Sequence, residues 1–283
     1  MRDDRRDLAS FAHAVEALKP YLDQLVFVGG WAHFLYTLRP EASPLSFEPL
    51  RTEDADVAAP ARLSRGTQTI AECLTRAGFR EHLSGDHTPP ISEYVLGDEA
   101  GGFYLEFLAP LVGGEIKRGG RHDVTTMVGG ITAQTLRYLD ILLTSPWQVT
   151  LTRDRGFPVA RSRAISIPNP AAYIVQKMLV LPKRSPDKQS KDLLYVHDTF
   201  AIFADSLASV RAAWEALRKT MLAGHVRTFE KTVRSDVAEV SDLARRAARI
   251  ASDRAAPPTP EMLLLGLRRG FATAFDLSPA VGK

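Results

Sequence analysis

In the stretch RTEDADVAAP, residues 51–60, Asp54 and Asp56 stand two positions apart. Along a strand, alternate residues point to the same face. Two carboxylates placed that way repel each other unless something neutralises them. A divalent cation does so, and Mg²⁺ is often held by one or two carboxylates plus the phosphates of a substrate. The competing reading is a solvated strand edge with two surface acids, and the pair alone does not decide between them.

Three other stretches carry groups that suit phosphate chemistry. LVFVGGWAHFLY, residues 25–36, runs from an apolar strand through Gly29 and Gly30 into a helix start. Glycines there let phosphate oxygens approach backbone N–H groups, although a tight turn that binds nothing has the same sequence. Glu106 alternates with apolar neighbours in FYLEFLAP. It is either a third acid beside the pair or an acid on the solvent face of a hairpin; buried without a partner it would be costly. Lys177 interrupts an apolar helix in YIVQKMLVL, and Lys191-Asp192 opens another, with Lys183, Arg184 and Lys188 between. Cations aimed at phosphates are what phosphoryl chemistry uses, but a lysine on an apolar face also snorkels. His197, Trp31 and Tyr173 read as packed side chains rather than ligands or base-stacking platforms.

These groups need elements to hold them. Residues 6–20 read as a helix stopped by Pro20, QLVFVGG as a buried strand, WAHFLYTL as a helix ending before Pro40, and EDADVAAP as a strand. TQTIAECLTRAGFREH reads as an amphipathic helix. ISEYVLG and GGFYLEFLAP read as a hairpin around Asp98, Gly101 and Gly102. Residues 111–165 read as further strand and loop, with glycine pairs at 113–114, 119–120 and 129–130. From NPAAYIVQKMLVL onward the pattern is helical, including one long stretch from Thr228 to Ala255 and a final helix, EMLLLGLRRGFATAF. The expected architecture is α/β (α+β): an N-terminal domain over residues 1–166, with a mixed sheet flanked by helices, then a helical domain over 167–283.

Bulk properties narrow the classes. The chain has 283 residues, 45% hydrophobic, with a formal net charge of +3, enough for one large or two modest cores. No apolar run approaches the ~18 residues of a membrane span, and MRDDRRDLAS is not followed by the apolar core of a secretory signal. A single cysteine, Cys73, excludes an internal disulfide and argues against a thiolate metal site. These features together point to the cytoplasm. Residues 1–165 carry 18 Lys/Arg against 21 Asp/Glu, net −3, and residues 166–283 carry 18 against 12, net +6. That split fits a metal-binding half and a polyanion-binding half, although it also arises by chance. No Walker A, G-x-S-x-G or H-x-x-x-H pattern is present.

Taken in order, the strand ending in Gly-Gly, the Thr52-x-Asp54-x-Asp56 run and the later Glu106 resemble the nucleotidyltransferase superfamily of the DNA polymerase β type. IPNPAAYIVQKMLVL and KQSKDLLYVHD look like the lysine and Lys-Asp motifs of AbiEii-like nucleotidyltransferases, which include toxins of toxin–antitoxin systems. The resemblance covers roughly residues 25–200. The stretch from Gly30 to Asp54 is longer than the superfamily spacing, as an insertion around Pro40 to Pro49 explains. The resemblance implies that Gly29, Gly30, Thr52 and Lys191 bind the nucleotide, that Asp54 and Asp56 bind Mg²⁺, and that Glu106, at the third carboxylate position, joins them at the metal and helps activate the attacking hydroxyl. It further implies that Lys177 contacts phosphate and that Asp192, with Lys191 beside it, is the acidic residue of the helical half. The implied reaction moves a nucleoside monophosphate from an NTP to an acceptor. RNA, at the 3′ end of tRNA, with an antitoxin protein as partner, is the expected setting. Transfer to a small molecule or a protein side chain, and a non-catalytic nucleotide- or RNA-binding regulator, remain open.

Overall fold

The computed structural model describes residues 4–64, 66–85, 90–98, 102–111, 113 and 125–278. Gly101, Gly114 and the pair at 119–120 lie outside these residues. The chain divides into two compact units, Met1–Leu38 with Arg51–Pro168, and Arg39–Leu50 with Asn169–Lys283. Residues 39–50, the expected insertion, therefore group with the second unit.

The first unit is built on a mixed sheet. Its strands are β1 (Val26–Val28), β2 (Asp54–Ala58), β3 (Arg80–Ser84), β4 (Ile91–Leu96), β5 (Phe103–Pro110), β6 (Thr125–Val128), β7 (Ile131–Leu136), β8 (Trp147–Leu151) and β9 (Arg163–Ile167). The main path runs β3-β4-β5-β2-β1-β9-β8, with β7 joining β5 and β6 joining β7. β2 runs parallel to β5 and antiparallel to β1. Strand β4 pairs with residues 103–106 of β5 and β7 with residues 108–110, so the two share one edge of β5 end to end. The helices are α1 (Asp4–Ala17), α2 (Gly29–Leu35), α3 (Ile70–Arg76) and the short α4 (Leu139–Leu142).

The alternation in β2 and β5 sorts the two faces of the sheet. Ala55, Val57, Leu105 and Phe107 are buried, each worth up to about 1.5–3 kcal/mol of burial for the larger side chains. Asp54, Asp56, Tyr104 and Glu106 are half-buried on the opposite face. That second face is apolar at its other end: Val26, Val28, Ala58 and Leu108 pack under Leu139 and Leu142 of α4. The short helix covers one end of the face, and the carboxylates occupy the other.

One sequence expectation changes here. The helix expected to run into FREH stops at Arg76; Thr69 and Glu72 form a reciprocal capping box at its start, and Gly78, at φ +87, turns the chain out of it. Residues 80–84 then form β3, an edge strand whose residues are exposed or half-buried. Charged, exposed edge strands discourage pairing with a second chain, and they also look helical in sequence.

The second unit is helical: α5 (Pro170–Val180), α6 (Pro186–Ile202), α7 (Leu207–Arg218), α8 (Ala223–Asp236), α9 (Asp242–Ile250) and α10 (Pro260–Phe275). Asn169 caps α5, its Oδ1 accepting from the Ala172 N–H at 2.8 Å. Every residue of α5 from Pro170 to Leu179 is buried, as befits a central helix that is apolar all round. The long helix expected over Thr228–Ala255 is two helices. Ser241 accepts from the Ala244 N–H to start α9, and the Arg268 guanidinium donates to the carbonyls of Val237 and Ala238 at the break. The final helix forms as expected, with Phe271 and Phe275 against Phe200, Trp214 and Phe229. The segment 39–50 is tied into this unit by Arg254. Its guanidinium forms a bidentate pair with the fully buried Asp198 and stacks 4.0 Å from the Phe47 ring centroid. Among the described residues no helix is long and apolar enough to cross a membrane.

Candidate nucleotidyl-transfer site

Strand register brings the predicted acids of the first unit together. Asp54 pairs with Tyr104 and Asp56 with Glu106 across the parallel β2–β5 ladder, and Val28 faces Asp56 across β1–β2. Residues in register share a face, so Asp54, Asp56 and Glu106 lie on one surface at the end of β1. The row continues outward. Glu106 is in register with Glu93 of β4, and Glu93 with His82 of β3. Glu93 accepts from the Ser84 hydroxyl at 2.5 Å and lies 3.4 Å from His82 Nδ1. Neither Glu93 nor His82 stands out in the sequence; only the pairing of β3 and β4 places them in this row.

The turn at Gly29 answers to Asp56. Gly29 has φ +65, and a Cβ built there would fall on Asp56 Oδ2, well inside van der Waals contact. A side chain at 29 is thus opposed twice, by the left-handed backbone and by the carboxylate. The first glycine lets the strand end turn into α2 with the Asp56 carboxylate against the backbone. Thr52 donates its hydroxyl to the Asp54 carbonyl at 2.8 Å, shaping the entry of β2. Trp31 is fully buried, stacked on Phe11 with centroids 4.1 Å apart. The Arg51 guanidinium lies over Trp31 and Phe34, and Arg51 is 3.7 Å from Asp7. Trp31 is thus core, as its sequence context suggested.

The second unit joins Lys177 to Asp192. Lys177 Nζ donates to Asp192 Oδ1 at 2.6 Å, with both residues buried. The ammonium also lies 5.4 and 5.1 Å from the ring centroids of Tyr173 and Tyr195. Arg184 Nε is 3.3 Å from Asp192 Oδ2, yet that oxygen has no aligned hydrogen-bond donor. One carboxylate therefore stands between two cations. Lys191, although adjacent in sequence, is exposed and faces a different cleft, lined by Ser190 and Arg246. His197 packs on its helix with Nδ1 3.0 Å from Asp198 Oδ1; Tyr173 is buried and edge-on to Tyr195.

Among the described residues no group of three or more His, Cys, Asp or Glu is arranged to hold a metal ion by itself. The acids of β2 suit a different mode. Two carboxylates on one strand face leave the remaining positions of an octahedral cation to water and substrate phosphate oxygens.

Two half-buried carboxylates on one strand face thus lie beside a glycine turn on a mixed sheet. A model of the family described as "Nucleotidyltransferase" matches residues 6–218, well over half of the chain, and the protein belongs to that family. Enzymes of this kind generally use a divalent metal. No curated protein matches the chain. The solved structure of MenT4, a nucleotidyltransferase toxin from Mycobacterium tuberculosis H37Rv, is similar at a TM-score of 0.36 and 13% identity, over 98% of this chain and 87% of that one.

Proposed function

We propose that this nucleotidyltransferase moves a nucleoside monophosphate from an NTP to RNA, at the 3′ end of tRNA, in a toxin-like role that an antitoxin protein would restrain. The observation that carries the catalytic part is the register of Asp56 with Glu106, with Gly29 packed against Asp56. The excess of cations in residues 166–283 supports a polyanionic acceptor. The toxin-like role rests on the resemblance of IPNPAAYIVQKMLVL and KQSKDLLYVHD to the AbiEii-like enzymes.

Asp54 and Asp56 would hold Mg²⁺, which when bound offsets negative charge on the triphosphate. Gly29 and Gly30 would let the phosphates approach the main chain, with Thr52 supporting the entry of β2. Glu106 would accept the proton of the acceptor hydroxyl as its oxygen bonds to the α-phosphorus. The bond from the α-phosphorus to the bridging oxygen then breaks, and pyrophosphate leaves with the electron pair. Lys177, oriented by Asp192, would contact phosphate. Positioning and electrostatics supply most of the catalysis in such transfers.

The test is incubation of the protein with Mg²⁺, each of the four α-labelled NTPs and total bacterial RNA, beside Asp56→Asn. Label in a tRNA-sized band with the native protein alone is the expected result. Pyrophosphate release without labelled RNA would move the acceptor to a small molecule or protein. No turnover with any acceptor would remove the catalytic reading.

A further inference from the structure

A cleft of about 450 Å³ lies between α6 and α9 in the second unit, lined by Asp187, Ser190, Lys191, Arg246, Arg249 and Ile250. Helical spacing builds it. Asp187 and Lys191 are one turn apart on α6, and Arg246, Arg249 and Ile250 share a face of α9. Arg246 Nε donates to Ser190 Oγ at 3.2 Å, and that hydroxyl donates to the Pro186 carbonyl at 2.8 Å. One arginine is thereby anchored at the wall. Lys191 and Arg249 are exposed, and their side chains make no hydrogen bond or ion pair among the described residues.

The contrast with neighbouring cations is informative. Arg211 pairs with Glu215, Arg234 with Glu230, and Arg245, on α9 itself, with Asp242. Lys191, Arg246 and Arg249, which line the cleft, have no acidic partner among the described residues, and Asp187 is the single carboxylate of the lining. Like charges gathered in a concave surface concentrate positive potential and attract a polyanion.

We propose that this cleft is a docking site for the sugar-phosphate backbone of RNA. It takes successive phosphates on Arg246, Arg249 and Lys191, and it lies apart from the Lys177–Asp192 pair. The inference rests on the reading of the acceptor as RNA. It removes Lys191 from the nucleotide-binding group, and it makes the site one of backbone rather than base recognition, since contacts to phosphates carry no sequence information.

The test measures binding of a fluorescein-labelled single-stranded RNA by anisotropy between about 50 and 200 mM salt, the range over which counterion release is visible. Arg249 is exposed, so Arg249→Ala and Arg249→Glu leave the fold intact. Arg249→Ala is expected to weaken RNA binding about fourfold and to reduce the slope of log K against log salt by about 0.7, one phosphate contact on a single strand. Arg249→Glu should weaken it further, while ATP affinity is unchanged in both. If the native protein binds no RNA at low salt, the RNA reading itself fails. If it binds RNA and both variants bind equally well with the same slope, the RNA reading stands and this docking site is overturned. Displacement of the RNA by millimolar pyrophosphate, lost in Arg249→Ala, would make the cleft a site for free phosphate and overturn the proposal as well.

Discussion

Gly29 and Asp56, 27 positions apart in sequence, meet at the end of β1: a Cβ on Gly29 would lie 2.0 Å from Asp56 Oδ2. Gly29→Ala should therefore harm the site in two ways. The left-handed backbone costs about 1–2 kcal/mol for a residue with a Cβ, and the carboxylate must move. We expect pyrophosphate release to fall at least 100-fold, with thermal stability also lowered. Gly78→Ala is the control, since Gly78 also has positive φ but a Cβ there meets nothing within 4 Å. It should lose about as much stability from the backbone alone and retain activity. Equal activity in the two variants would contradict the role given to Gly29.

Glu106 separates proton acceptance from charge. Glu106→Gln keeps the size of the side chain and removes the basic carboxylate. If Glu106 accepts the hydroxyl proton, the rate should fall by about 10²–10⁴, the usual contribution of general acid–base catalysis, with NTP affinity little changed. A loss confined to NTP affinity would instead make Glu106 part of the cation site.

Lys177 and Asp192 allow a structural role to be told from a chemical one. Asp192→Asn leaves a buried ammonium short of its carboxylate, and breaking a buried pair from one side typically costs about 3–5 kcal/mol. The double variant Lys177→Met/Asp192→Leu removes both charges and should recover most of that stability in urea denaturation. If Lys177 contacts phosphate, the double variant stays inactive although folded. Restored activity would make the pair purely structural.

Asp236 gives a pH-dependent prediction. Burial raises its carboxyl above the ordinary aspartate range, against a smaller lowering by the Ser235 hydroxyl. It also ends α8, where a negative charge opposes the helix dipole. A raised folded pKa means that the folded state holds the proton more tightly, so the group's penalty is absent in acid and grows as pH climbs through the raised value. Asp236→Asn should therefore stabilise the protein at neutral pH, by up to about 1 kcal/mol, and make no difference near pH 3. Stabilisation that is equal at both pH values would contradict the assignment.

The parts of the site that depend on local pattern were legible in the sequence, and those that depend on pairing were not. Alternation in ADV and YLEF marks β2 and β5 and puts Asp54 and Asp56 on one face, but only the β2–β5 register places Glu106 beside them. Strand β3 was hidden because Arg80, Glu81 and His82 continue a helical charge pattern. Glu93 and His82 therefore entered the row only through the β3–β4 ladder. The break between α8 and α9 depends on Arg268, some thirty residues on, taking the released carbonyls. Residues 39–50 read as an insertion; that they group with the second unit follows from Arg254, Asp198 and Phe47, which no local window contains. Lys191 was grouped with Asp192 by adjacency, but neighbouring residues on a helix point about 100° apart.

The central claim is that the aspartates of β2 form the reacting centre of a metal-dependent transferase. It is tested most directly by pyrophosphate release from NTPs with bacterial RNA, titrated with Mg²⁺, for the native protein, Asp54→Asn and Asp56→Asn. The account predicts saturable, Mg²⁺-dependent release by the native protein and a loss of at least 1000-fold in each variant, with folding unchanged. Release that persists in both variants, or that proceeds at full rate in excess EDTA, would contradict it.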